Sequence, residues 1–334
     1  FYWIFYKLFG TDSFGYHVVN VILHALNAYM VTRLARRWEV KHAWLAGLLF
    51  LVHPLHVQAV AWIIQFKTLL ACFFALMSLE LIRMSTNWSI FEFLLSLLAK
   101  GSAIFLPFVL LVTEKSRKLT RLIPFFILSA AFGILTLYMN RAQTEVSVLL
   151  DVWLRPLLVT KTFAFYLMKF FWPQPLSYIY PLDVSFDVAS LLVVFCFCIA
   201  ALYSKDRRLL FAYFLILLPC LGFINIPGMR LSLVSDHWAY LADGFLIVFV
   251  VRSLERFVRT NILIAIGDVI AIGLAILFFN HVQIFVSEEA FWKQAQKHIA
   301  MTAATMVRIF KPAERTEIDY ADGVEILDPF TGEV

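Results

Sequence analysis

Charge is what this sequence has least of. Asp, Glu, Lys and Arg make up 15% of its 334 residues, against about 25% in an ordinary soluble domain. With 62% of the chain hydrophobic, a water-soluble globule is excluded. The apolar runs show none of the strict alternation of an outer-membrane barrel, which leaves membrane helices. Cysteine is nearly absent too. Cys72, Cys196, Cys198 and Cys220 lie inside apolar segments with no metal-site spacing; they are expected to be small core residues and do not report a redox compartment. The start FYWIFYKLFG lacks Met, a charged leader and a cleavage site, so it is no signal peptide, and the chain is expected to be N-terminally incomplete. No internal repeat or low-complexity stretch is evident.

What is present is a series of apolar runs, at 16–35, 43–53, 57–82, 89–99, 102–113, 122–139, 156–172, 188–203, 209–226, 239–253 and 262–283. The fold class expected is all-α, a polytopic membrane helix bundle of about ten segments, several short or re-entrant. Residues 1–285 form the membrane domain, and 286–334 a small soluble extracytoplasmic tail, too short to bury a core of its own.

The net charge of +5 collects in four short clusters: Arg33, Arg36, Arg37 and Lys41; Lys115, Arg117, Lys118 and Arg121; Lys205, Arg207 and Arg208; Arg252, Arg256 and Arg259. Between apolar runs such clusters anchor loops at the cytoplasmic face and do not form a nucleic-acid surface. Placing all four inside requires that 156–172 not cross fully, so it is expected to be re-entrant or to lie along the outer interface.

The same topology puts the polar residues of the apolar segments at the outer half. In GYHVVNVILHALNAY, His17, Asn20, His24 and Asn27 fall within an arc of roughly 80° on one helix. His17 and Asn20 are expected to line an outward cavity, and His24 and Asn27 to pack against neighbouring helices. His53, His56 and Gln58 surround Pro54 at a helix start, where free amides attract anions; Lys67 is expected about three turns deeper. Two His without a third ligand nearby are a weak metal signal, so no metal ligand is assigned, though a divalent ion is not excluded. Lys100 is expected at the tip of a hairpin between two short helices, either snorkelling or taking a phosphate as a point charge. Arg230, Asp236, His237 and Tyr240 precede an outer helix, with Asp236 as its N-cap or as a chemical group. Each polar residue considered singly suits interhelical hydrogen bonding; their shared face favours a cavity.

In this order, GYHVVNVILHALNA, LFLVHPLHVQAVAWI followed by Lys67, LLAKGSAIFLPFVLL, LSYIYPLD and SDHWAYL resemble the membrane domain of the transmembrane and tetratricopeptide-repeat O-mannosyltransferase-like proteins and their bacterial relatives, of the GT-C glycosyltransferase superfamily. The resemblance covers roughly residues 1–285. It implies a sugar passed from a polyprenyl-phosphate carrier to a protein or glycan acceptor at the extracytoplasmic face of a multi-pass membrane protein, in bacteria the inner membrane. It implies Lys67, Lys100, Arg230 and His237 as contacts for the donor phosphate, with His17, Asn20, His53, His56, Gln58 and Tyr240 around them. Gln58 and Phe66 stand where the family usually has Glu and Arg. The family's acidic catalytic loop is expected upstream of Phe1, leaving Asp236 as a weak substitute and the chain catalytically incomplete. A non-catalytic polyprenyl-phosphate-binding scaffold and a transporter are the alternatives. The transporter predicts inverted repeats and charges at the bilayer midplane.

Overall fold

A computed structural model describes residues 2–114, 119–140, 155–177, 180, 187–221, 234–287 and 290. Among these every regular element is a helix. The order is α1 (Tyr2–Phe9), α2 (Ser13–Arg37), α3 (Ala43–Val52), α4 (Val57–Ala61), α5 (Phe66–Leu81), α6 (Thr86–Ala99), α7 (Leu106–Thr113), α8 (Ile123–Asn140), α9 (Arg155–Phe171), α10 (Val188–Tyr203), α11 (Arg207–Leu217), α12 (Tyr240–Phe257) and α13 (Thr260–Val282). Short polar side chains start several of them. Asp12 accepts from the Phe14 amide at 3.0 Å, and Asp187 from the amides of Ala189 and Ser190 at 3.0 and 3.1 Å, each satisfying donors that a helix start leaves free.

Three stretches are long and apolar enough to cross a bilayer, Ser13–Arg37, Ile63–Leu81 and Thr260–Phe285, and a bent pair, Ala43–Val52 with Pro54–Ala61, makes a fourth. Thr86–Ala99, Gly101–Thr113, Ile123–Met139 and Val188–Tyr203 are apolar but shorter. The chain is therefore a membrane protein, with fewer full-length spans among the described residues than the apolar runs suggested. The exposed faces agree. On α10, Leu192, Phe195, Ile199 and Leu202 are exposed, and on α13 Val269, Ile272, Ile276 and Phe279. Spacings of three and four set each group on one helical stripe, a surface suited to lipid chains and not to water.

The centre of the bundle is α12. Every residue from Tyr240 to Val248 is buried, so this half-helix is enclosed on all sides. It packs against α11, α2, α3 and α5, while α2 packs on α3 and α5, and α5 on α6. Gly47 of α3 marks the tightest crossing. A Cβ there would stand 2.8 Å from the Ala28 carbonyl oxygen and closer still to Thr32, so the two backbones approach in a way only glycine permits.

Two breaks shape one end of the bundle. His53 is extended (φ −72°, ψ 124°) before Pro54, the conformation a following proline enforces, and the chain bends there by 54°. The second break corrects the continuous helix expected over 57–82. Trp62 is extended (φ −87°, ψ 109°) and separates α4 from a short turn, Ile63–Gln65, that leads into α5. No Gly or Pro signals it; Gln65 and Thr68 bond to each other at 2.6 Å just beyond the break. A smaller correction concerns cysteine. Cys72 is buried as expected, but Cys196 and Cys198 are exposed on α10. The 156–172 segment is a helix with Leu158, Phe163, Tyr166, Leu167 and Phe170 buried on one face. Of the expected tail, 286–334, only residues 286, 287 and 290 are described.

Candidate functional site

Chain direction sorts the polar residues. Helices α2, α5 and α12 run toward one end of the bundle and α3 runs away from it. Arg33, Arg37, Arg83, Glu114, Asp206, Arg252, Glu255 and Arg256 collect at that end. Arg37 is bound to Glu114 and to the Leu79 carbonyl, and Arg33 to Glu80. Arg83 Nε lies 3.3 Å from Glu114. Arg252 and Arg256 share Asp206 at 2.8 and 2.6 Å. Glu255 accepts from the amides of Lys41 and His42 at 3.0 and 2.6 Å. Three of the four basic clusters read from the sequence thus meet, and residues of all three line one cavity of about 180 Å³ with Glu114.

The opposite end holds the residues singled out as a site. Gln58, 2% exposed, ties the start of α4 to the segment before α12. Its Oε1 accepts from Ser235 Oγ at 2.9 Å, the His237 amide at 3.0 Å and His237 Nδ1 at 3.0 Å. Because an amide oxygen only accepts, His237 carries its proton on Nδ1. Asp236 is not the N-cap of α12; that position is Ala239. Asp236 sits in the preceding turn, buried, and accepts from Tyr180 Oη at 2.8 Å. Burial pushes its carboxyl up to about 7, against the Tyr180 bond and the nearby Lys169, while the Asp243 charge adds to the rise.

The stripe on α2 is bonded along most of its length. Asn20 donates to the Val60 carbonyl at 3.0 Å. Asn27 donates to the Leu69 carbonyl at 2.9 Å and to Tyr240 Oη at 3.2 Å. Tyr240 Oη lies 2.7 Å from His24 Nδ1, whose Nε2 is 3.0 Å from the Leu51 carbonyl. The carbonyl fixes the proton on Nε2, so a single relay runs from Asn27 through Tyr240 and His24 to Leu51. His17 alone of the four is half-buried. Asn20, Gln58 and Tyr240 are therefore buried and tie helices together, and His53 and His56 are buried beside them.

Lys100 is not a free hairpin tip. It closes α6 and turns back to α5, donating to Thr68 Oγ1 at 2.7 Å and approaching Gln65 Oε1 at 3.5 Å. Lys67 lies in the first turn of α5, after the Trp62 break, not three turns down a continuous helix. The two lysines and His237 are close enough to act on one another. Burial and the charges of Lys100 and Lys67 hold the His237 imidazole well below its usual range, and burial, with Lys67 adding to it, pushes Lys100 down to about 7. Among the described residues neither lysine has a carboxylate partner. Arg230 lies outside the described residues.

Asp243 is the group the sequence reading missed. It is 0% exposed, one turn into α12, and with His53 and His56 it forms a cluster whose ligand atoms lie within 4.8 Å of one another. The third ligand absent from the local sequence thus comes from 187 positions further on. The signal available was a carboxylate inside the apolar run YLADGFLIVFVV, a rare placement that marks function by default.

No known family profile matches the chain, and no solved structure matches it. Short stretches are similar to curated proteins. The chain is 39% identical over 85 residues to protein O-mannosyl-transferase F38B6.6 of Caenorhabditis elegans, covering 24% of this chain and 12% of that protein. It is 39% identical over 72 residues to protein O-mannosyl-transferase TMTC2 of Mus musculus, 21% of this chain and 9% of that one. Against protein O-mannosyl-transferase TMTC1 of Homo sapiens it is 36% identical over 74 residues, 21% and 8% of the two lengths. The matched stretch thus spans about a tenth of each relative. Over roughly a fifth of the chain, the likeness is to protein O-mannosyltransferases, a family of glycosyltransferases.

Proposed function

We propose that this chain is the multi-pass membrane core of a GT-C-type glycosyltransferase. It takes a sugar from a polyprenyl-phosphate-linked donor and passes it to a protein or glycan hydroxyl at the extracytoplasmic face. The observation that carries the reading is that Lys67 and Lys100 stand beside His237 with no carboxylate partner among the described residues. At the other end of the bundle the buried Arg37 and the half-buried Arg252 each have a carboxylate; here two half-buried lysines have none among the described residues. The phosphodiester of a polyprenyl-phosphate sugar supplies negative charge there, and cations so placed offset the further charge that develops as the polyprenyl phosphate monoester leaves. The likeness to protein O-mannosyltransferases supports transfer to a hydroxyl, and Arg230 belongs to the same phosphate set in this proposal.

Asp236 adjoins His237 in the chain, and a carboxyl titrating near neutrality suits proton transfer. Its burial and its bond to Tyr180 suit a group that orients its neighbours while Lys67 and Lys100 hold the donor. Native mass spectrometry of the detergent-purified chain, incubated with a polyprenyl-phosphate mannose, tests the reading. Retention of the lipid is expected, with about a tenfold loss in Lys67→Ala/Lys100→Ala, the order of one strong charge-assisted contact. Equal retention by the double variant would remove the phosphate assignment. The same sample, given a Ser/Thr peptide and assayed for mannosyl transfer, separates a transferase from a protein that only binds the carrier.

A further inference from the structure

The protons around the His53, His56 and Asp243 cluster can be assigned from its hydrogen bonds. His56 Nδ1 lies 2.7 Å from the Phe50 carbonyl oxygen. A carbonyl only accepts, so Nδ1 carries the proton and Nε2 of the neutral ring presents a bare lone pair. That lone pair faces Asp243 Oδ2 at 3.4 Å. His56 Nε2 and both oxygens of Asp243 are buried without a hydrogen-bond partner. His53 is arranged in the same manner. Its Nε2 donates to the Phe170 carbonyl at 3.1 Å, and its Nδ1 meets only a long 3.4 Å approach from the Leu55 amide.

The His56 lone pair and the Asp243 carboxylate therefore oppose each other, fully buried, with no donor between them, and a His53 ring nitrogen lies within 4.8 Å of both. Acceptors opposed in a dry interior repel, and unpaired buried polar atoms each cost about 1–3 kcal/mol. An electropositive centre between them removes both penalties. Three features favour a metal ion over a shared proton. Each ring has its other N–H held by a backbone carbonyl, the usual way a metal-ligating histidine is oriented. Two nitrogens and a carboxylate oxygen are a zinc donor set. Finally, 3.4 Å is long for a hydrogen bond, whereas two ligands about 2.0–2.1 Å from a tetrahedral ion stand roughly 3.4 Å apart.

We infer that His53, His56 and Asp243 bind a divalent transition metal, zinc foremost, that clamps the Pro54 turn to α12. Among the described residues no fourth protein ligand joins them, so the second oxygen of Asp243 or a water completes the shell. The clamp fixes the start of α4, and with it Gln58, against the Ser235–His237 turn. It stands independently of the transferase reading, because it is tested without donor or acceptor.

The test is metal analysis of the full chain, purified in detergent and dialysed with and without added zinc. About one equivalent per chain is expected, falling to less than about a tenth in Asp243→Asn and in His56→Ala. Asp187→Asn, an exposed helix cap outside the cluster, keeps its zinc. Cobalt in place of zinc is expected to give visible absorption of a tetrahedral site in the wild type and none in Asp243→Asn. Should the variants not fold, the wild type alone decides. Removing metal with phenanthroline must lower its Tm, and zinc must restore it. A folded wild-type chain that takes up no zinc overturns the inference, as does a folded Asp243→Asn with a full complement or a Tm indifferent to chelation.

Discussion

The two ends of this bundle handle buried polarity by different means. At the end where α2 and α12 finish, Arg37, Arg83, Arg252 and Arg256 are matched by Glu114 and Asp206, and Glu255 is matched by backbone amides. At the end where they begin, the polar groups are mainly amides, imidazoles and a phenol that bond to carbonyls and to one another. Among the described residues, Lys67 and Lys100 there have no carboxylate partner, and His56 Nε2 and both Asp243 oxygens have no hydrogen-bond partner. This difference is what the proposed donor site and the proposed metal clamp both rest on. Permanent charge in mutual pairs holds shape; charge without a counterpart awaits a partner from outside.

That contrast can be broken first at its closed end. Glu114→Gln leaves the buried Arg37 guanidinium without its counter-charge, a loss expected to cost about 3–5 kcal/mol and to show as the largest fall in Tm of any single variant here. Next comes the open end. Gln58→Leu strands the His237 amide and is expected to cost about 1–3 kcal/mol, with carrier binding weakened because the Ser235–His237 turn loses its tether. Tyr240→Phe cuts the relay between Asn27 and His24 for about 1–2 kcal/mol, read in thermal unfolding.

The pH dependence sharpens the comparison further. The Asp236 carboxyl is raised to about 7 by burial, so its contribution to stability is complete at acid pH and is lost as pH climbs through that value. Tm is expected to fall between about pH 4 and about pH 7 and to level off above that, and Asp236→Asn to flatten the slope over that window. A slope unchanged in that variant would assign the titration elsewhere. The smallest effect belongs to Arg33→Ala. Its side chain is 41% exposed, and such screened pairs contribute about 0–1 kcal/mol; a larger loss would mean that the closed end acts as one network.

Much of this division is legible in the sequence. Basic clusters between apolar runs mark one end by charge alone, and the His/Asn stripe of α2 marks its buried face by spacing. What could not be seen depended on three-dimensional neighbours. Trp62 breaks a helix with no Gly or Pro to announce it, because the bonds among Gln65, Thr68 and Lys100 outweigh local propensity; the depth inferred for Lys67 failed with it. Asp236 stands close enough to a helix start to resemble a cap, yet the helix begins four residues later and the side chain is taken by Tyr180. Asp243 hid inside an apolar run, and only the fold set it against two histidines far upstream.

One helix belongs to both ends. Tyr240 and Asp243 stand at the start of α12, and Arg252, Glu255 and Arg256 in its last turns. Asp243 and Glu255 are about 18 Å apart along a continuous helical axis, and the half nearer Asp243 is enclosed on every side. An enclosed helix has little room to bend, so it transmits displacement as a push rod does. Sliding it far enough to part Glu255 from Lys41 and His42 would also carry Asp243 away from His56, and the two ends of the bundle would register the same stroke.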